Sequence, residues 1–161
     1  MVTTFQIIGH KKSGKTTLTN DFLKFGKAAG YSFSVVKHTH GPVDIPDNTD
    51  TGKFYQQSDD VLLLNDSQTI HYQRKIAKTA SEQITELQKN SPADFLIIEG
   101  LKELDYPKIT LLKEDEVKSD FADISQILVF ASIQKDESNI ISLMDTDERK
   151  KFIINFLREI Q

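Results

Sequence analysis

Short apolar runs rich in β-branched residues alternate along this chain with segments whose apolar positions fall at helical intervals. Residues 3–8 (TTFQII) form the first run and stop at Gly9, which predicts a buried strand. From Thr16 the spacing becomes helical, with Leu18, Phe22 and Phe25 on one face and Gly30 closing the segment. Residues 33–36 predict a second strand. The stretch from His38 to Asp50 is rich in Gly, Pro, Asn and Asp, lacks periodicity and reads as a long loop, a kind of segment that often carries function. Residues 51–57 predict a short helix, and residues 61–64 and 69–74 a strand pair joined at Asn65-Asp66-Ser67. Residues 76–89 predict a helix with Ile76, Ala80, Ile84 and Leu87 apolar, ended by Pro92. Three more strands are expected at 95–98, 109–112 and 127–130. Thr146 is the expected cap of a last helix that buries Phe152, Phe156 and Ile160, with Ile153 and Leu157 beside them.

Alternating elements and continuously apolar central strands indicate an α/β protein, with a mainly parallel sheet flanked by helices in three layers. No repeat, low-complexity tract or linker interrupts the 161 residues, so one domain over 1–161 is expected. No apolar run reaches the roughly 18 residues needed to cross a bilayer, and the N-terminus has no secretory pattern, so a cytoplasmic protein is expected. Cysteine is absent, which removes disulfides, thiolate metal sites and cysteine nucleophiles. A net charge of -4 offers no global attraction to nucleic acid or anionic lipid, so a phosphate ligand must be held locally.

Such a local site is present at Gly9-His10-Lys11-Lys12-Ser13-Gly14-Lys15-Thr16, which meets every fixed position of G-x-x-x-x-G-K-[ST]. Gly9 and Gly14 allow backbone angles that a Cβ forbids. The loop amides then converge on a phosphate at the positive end of the following helix, which Thr17 continues. Lys15 supplies an ammonium to the β- and γ-phosphates and Thr16 a hydroxyl to Mg²⁺. Together with its flanking strand and helix, this motif identifies a P-loop nucleotide site.

A P-loop also needs an acidic partner. Glu99 ends the apolar run 95–98 and therefore stands at a strand's carboxyl end, where ligands of parallel sheets gather. It is the expected catalytic and metal-binding carboxylate, with Lys15 as its cationic counterpart. Asp94, at the other end of that run, reads as a turn residue. In the loop after the second strand, Lys37, His38, His40, Asp44 and Asp50 suggest a switch-like segment, with Asp44 or Asp50 reaching Mg²⁺ through water; a polar surface loop is the plainer reading. The His38/His40 pair alone is a weak metal signal. The charge run 113–118 (KEDEVK) reads as a solvated turn, and Phe22, Phe25, Phe152 and Phe156 as core.

Three segments together resemble the molybdopterin-guanine dinucleotide biosynthesis protein B (MobB) family. They are the P-loop through Thr17, then Lys37-His38-Thr39-His40 followed by Asp44 and Asp50-Thr51, and finally Glu99-Gly100-Leu101-Lys102 with Pro107-Lys108-Ile109. The resemblance spans roughly residues 4–112. It implies a homodimeric GTP-binding accessory protein with weak GTPase activity. Its implied role is to help a MobA-like guanylyltransferase attach GMP to molybdopterin. It further implies that Gly14, Lys15 and Thr16 hold nucleotide and Mg²⁺, that Glu99 lies beside the γ-phosphate, and that Lys37, His38, Asp44 and Asp50 line the site. The chain departs from the family at Gln57-Ser58-Asp59, where Ala-Gly-Ala is usual, and it has no [TN]-K-x-D guanine-reading sequence. Ala131-Ser132 sits where a base-contacting loop would lie. Alternatives are a small-molecule kinase, although Arg74, Arg149 and Arg158 do not fall in a lid-like loop, and a nucleotide-dependent adaptor without turnover.

Overall fold

Strand β1 (Thr3–Ile8) runs through the middle of a six-stranded sheet, as its unbroken apolar sequence requires. The order is β2-β5-β1-β6-β7-β8, with every pairing parallel. Its other members are β2 (Phe33–Lys37), β5 (Phe95–Glu99), β6 (Lys108–Leu111), β7 (Ile127–Ser132) and β8 (Ile141–Ser142). The computed structural model describes residues 2–39, 41, 43, 48–74 and 78–161. The chain divides into two units, residues 1–38 with 84–161, which contain the sheet, and residues 39–83.

Alternation along the strands sends side chains to two faces, and both are covered. On one, Phe5, Ile7, Phe95, Ile97, Ile109 and Leu111 meet Leu18 and Phe22 of α1 (Lys15–Ala28) and Ile153, Phe156 and Leu157 of α4 (Thr146–Ile160). The Phe5 ring lies 5.1 Å from Phe22 and 5.2 Å from Phe156. Phe25 and Phe152 pack at the margin of this cluster, so all four helix phenylalanines belong to the core. On the other face Leu96 and Ile98 pack with Val2, Ile84 and Leu87, the last two from α3 (Ala80–Asn90). A third cluster joins Ile8 and Leu112 to Phe121 of a 3₁₀ turn (Lys118–Phe121).

The second unit holds α2 (Asp50–Gln57) and an antiparallel pair, β3 (Asp60–Leu64) and β4 (Thr69–Gln73). The turn at Asn65 forms because its side-chain oxygen accepts from the amides of Ser67 (2.9 Å) and Gln68 (2.8 Å).

Most expected elements are present within a residue or two, with three differences. The α4 cap is Asp145, whose Oδ1 accepts from the amides of Asp147 (2.8 Å) and Glu148 (3.0 Å), while Thr146 Oγ1 accepts from Arg149. Helix α3 is described from Ala80, and Ile76 lies outside the described residues. The 3₁₀ turn and β8 have no periodic signature; four and two residues are too short to show one. Among the described residues no helix is long and apolar enough to cross a membrane.

Candidate functional site

Parallel register brings three strand ends side by side, with Ile7 opposite Glu99 and Glu99 opposite Lys37. The loop leaving β1 therefore rises beside the carboxylate that ends β5. Gly9 has φ 150° and Gly14 φ 97°, values that disfavour a side chain. A Cβ on Gly9 would stand 2.6 Å from the Leu111 carbonyl, and one on Gly14 would stand 2.0 Å from Ile133 Cδ1. Gly9 is thus favoured by conformation and by the backbone beside it, and Gly14 chiefly by its conformation, since the end of the Ile133 side chain can move. Lys12, at φ 67°, takes the left-handed region without being glycine. Ser13 is buried, and its hydroxyl has no protein partner among the described residues.

The Lys15 ammonium folds back over the loop and donates to the carbonyls of Gly9 (2.8 Å) and His10 (2.9 Å). Burial pushes its pKa below the ordinary lysine value, against the opposing pull of Glu99 and Glu116. Thr16 Oγ1 donates to Glu99 Oε1 at 3.0 Å, and Lys37 Nζ stands 3.6 Å from the same oxygen. Glu99 is buried, and the His38 amide donates to its carbonyl. Lys15, Thr16 and Glu99 border a cavity of about 480 Å³ that is also lined by Lys11, Lys12, Gly14, Thr17, Ile133 and Gln134. A concave site of this size fits a small ligand, and the loop amides with Lys11, Lys12 and Lys15 suit an anionic one.

For a metal, the Thr16 hydroxyl and Glu99 carboxylate are adjacent hard oxygen donors, the kind Mg²⁺ takes when phosphates and water complete its shell. Among the described residues no three His, Asp or Glu side chains cluster so as to hold a metal by themselves. Asp50 opens α2 in the second unit, with its carboxylate 3.7 Å from Lys53 Nζ. Asp44 and His40 lie outside the described residues.

One expectation is corrected. The 113–118 run is not wholly solvated, because Glu116 is buried and faces the P-loop. Its Oε1 lies 2.6 Å from His10 Nδ1, and its Oε2 accepts from the Lys113 amide at 2.9 Å. Burial pushes this carboxyl up, but the hydrogen bonds from Lys113 and His10 prevail and hold it below the usual glutamate value. Gln134 was also not anticipated: its Nε2 donates to the Lys12 carbonyl at 2.6 Å. Ser132, expected near a base, is buried and accepts from the amides of Gln134 (3.0 Å) and Lys135 (3.2 Å), which shapes the loop that carries Gln134. Both segments follow parallel strands, β6 and β7, and so emerge on the ligand side. Element order alone marks these loops as lying on that side, but not which of their residues turn inward. Asp94, by contrast, is the expected turn residue, accepting from the Ser32 amide and hydroxyl at 2.7 Å each.

The model of the family described as molybdopterin guanine dinucleotide synthesis protein B matches residues 4–134. A candidate molybdopterin-guanine dinucleotide biosynthesis adapter protein from Methanocaldococcus jannaschii is 34% identical over 116 residues, covering 68% of this chain and 47% of the relative. Another of that description from Bacillus subtilis is 28% identical over 114 residues, covering 69% and 65%. The chain thus matches between about half and two thirds of the length of these curated relatives. Among solved structures, a MobB homologue from Bacillus stearothermophilus superposes with a TM-score of 0.75 at 20% identity, covering 98% of this chain and 99% of that one. Bacillus subtilis MobB superposes with a TM-score of 0.71 at 22% identity, covering 98% of each. These structural likenesses establish the α/β fold. With the family model matched across most of the sheet-bearing unit and its P-loop, the chain belongs to the MobB family.

Proposed function

We propose that this protein is a GTP-binding adapter of molybdopterin-guanine dinucleotide biosynthesis that binds Mg²⁺-GTP at its P-loop and hydrolyses it slowly. In this reading it acts as a homodimer beside a MobA-like guanylyltransferase that joins GMP to molybdopterin. The observation that carries the nucleotide reading is the Thr16–Glu99 hydrogen bond of 3.0 Å, directly above a loop whose Lys15 is poised over two of its own carbonyls. Lys15 exchanges those carbonyls for phosphate oxygens, a stronger charge-assisted pairing. Thr16 and Glu99 supply the oxygens for Mg²⁺, which would neutralise phosphate charge when bound. Lys11 and Lys12 add exposed positive charge at the cavity rim. Lys37 balances the buried charge of Glu99. The choice of guanine, the adapter role and the partner rest on family membership.

A kinase is disfavoured by its arginines. Arg149 donates to Asp21 (2.8 Å) and to the Leu143 and Met144 carbonyls, Arg74 donates to the Tyr55 and Ser58 carbonyls, and Arg158 lies in the last turn of α4. None is held ready for a transferred phosphoryl group. Calorimetric titration with GTP, ATP and GDP, each with Mg²⁺, tests the proposal. Tighter binding of GTP than ATP supports it, and no nucleotide binding would overturn it.

A further inference from the structure

We infer that Glu116 is a positioning residue for nucleotide binding: through His10 it holds the P-loop in shape while Lys15 moves from the loop to the phosphates. The inference rests on the nucleotide reading above. Three contacts converge on this one side chain. His10 Nδ1 lies 2.6 Å from Oε1, the Lys113 amide donates to Oε2 at 2.9 Å, and Lys113 Nζ stands 3.3 Å from Oε1. The Glu116 carbonyl in turn accepts from Lys135 Nζ, which pairs with Glu137 at 2.9 Å. An ionised carboxylate only accepts hydrogen bonds, so the proton of this contact sits on Nδ1 of His10. The Phe121 ring, 4.9 Å from the imidazole, bounds it on another side.

His10 is therefore held at its ring by Glu116 and at its carbonyl by Lys15 and by the Ser13 amide, which donates at 3.2 Å. The Lys15 contact is lost when its ammonium turns to a phosphate. The Ser13 amide stays on the carbonyl, and Glu116 is the grip that remains on the side chain, keeping the loop amides aimed at the ligand without a new ordering cost. A carboxylate near a polyphosphate would repel it, but here the charge is covered by Lys113 and His10. The arrangement makes Glu116 a brace whose charge is already balanced.

The test is a double-mutant cycle in Mg²⁺-GTP affinity, using the full chain with His10→Leu, Glu116→Ala and their combination, plus His10→Asn. Asparagine places an N–H near the position of Nδ1–H, so it serves as the rescuing variant. Each of the first two single variants is expected to weaken binding about tenfold, from loss of one charge-assisted hydrogen bond. The double variant should be no weaker than either single one. His10→Asn should stay within about twofold of the parent, since the donor survives. Additive losses in the double variant, unchanged affinity in Glu116→Ala, or His10→Asn as weak as His10→Leu would each overturn the inference. If Glu116→Ala does not fold, Glu116→Met, which fills similar space without an oxygen acceptor, replaces it in the cycle and is judged by the same non-additivity. A parent that binds Mg²⁺-GTP but shows additive losses removes this inference alone; a parent that binds no nucleotide removes the nucleotide reading and this inference together.

Discussion

Lys15→Ala separates the ligand-binding role of the P-loop from its contribution to the fold. Without nucleotide, the ammonium donates to the Gly9 and His10 carbonyls at 2.8 and 2.9 Å. The side chain is only half-buried, so water can take over both carbonyls, and the expected loss of stability is under about 1 kcal/mol. Binding is a different matter. There the ammonium meets phosphate oxygens, and losing one charge-assisted contact costs roughly 1.5–3 kcal/mol, about tenfold to over a hundredfold in Kd. Calorimetric titration of Mg²⁺-GTP into parent and variant at one ionic strength measures this, with a thermal melt confirming that the variant is folded. The parent carries its own check in pH. Because burial lowers the Lys15 pKa, the binding-competent charge is complete below that lowered value and is lost as pH rises through it, before the ordinary 10.5. Parental affinity should therefore decline with alkaline pH more steeply than in Lys15→Ala. A folded Lys15→Ala protein with parental affinity would refute the assignment of this loop.

Three further outcomes are expected. Glu99→Gln keeps the side chain's shape but removes the charge facing Thr16, so Mg²⁺-GTP should still bind while single-turnover hydrolysis slows; equal rates in parent and variant would relieve Glu99 of that role. Glu116 has a folded-state pKa below the ordinary glutamate value of 4.5, so its stabilising contribution is present above that value and is lost as pH falls through the lower folded one. Acid unfolding followed by circular dichroism should accordingly be less steep in Glu116→Gln, and superimposable acid limbs would contradict this. Phe22 is fully buried between Phe5 and Phe156, so Phe22→Ala should cost about 3–5 kcal/mol by urea unfolding, and a loss under about 1 kcal/mol would mean the site collapses around the gap.

How much of the site was legible depended on how local each signal is. The P-loop motif is a contiguous strand–loop–helix unit, so spacing alone marks Gly9, Gly14, Lys15 and Thr16 as candidate site residues. Glu99 needed one added rule, that carboxyl ends of parallel strands face the ligand, and its hydrogen bond to Thr16 agrees with that reading. Glu116 was hidden by composition. It sits among Lys113, Glu114, Asp115 and Lys118, and a run of charges carries no mark of which member turns inward. Its burial arises because the segment after β6 doubles back beside the P-loop, a consequence of β6 pairing with β1. Gln134 was hidden for the same reason, one strand further out, where β7 pairs with β6.

The sequence by itself determined most of the element types, the α/β class, the G-x-x-x-x-G-K-[ST] motif and the family. Each depends on periodicity or on residues close together in the chain, where backbone geometry and side-chain chemistry act without distant partners. Only the tertiary structure decided the strand order β2-β5-β1-β6-β7-β8, because several orders bury the same apolar strands equally well. It also decided that Asp145 rather than Thr146 caps α4, a choice between adjacent residues settled by which oxygen reaches the helix amides. And it decided which charged residues of the late loops brace the P-loop. Residues 10 and 116 are 106 positions apart, and their 2.6 Å contact exists only because the sheet register sets their loops side by side.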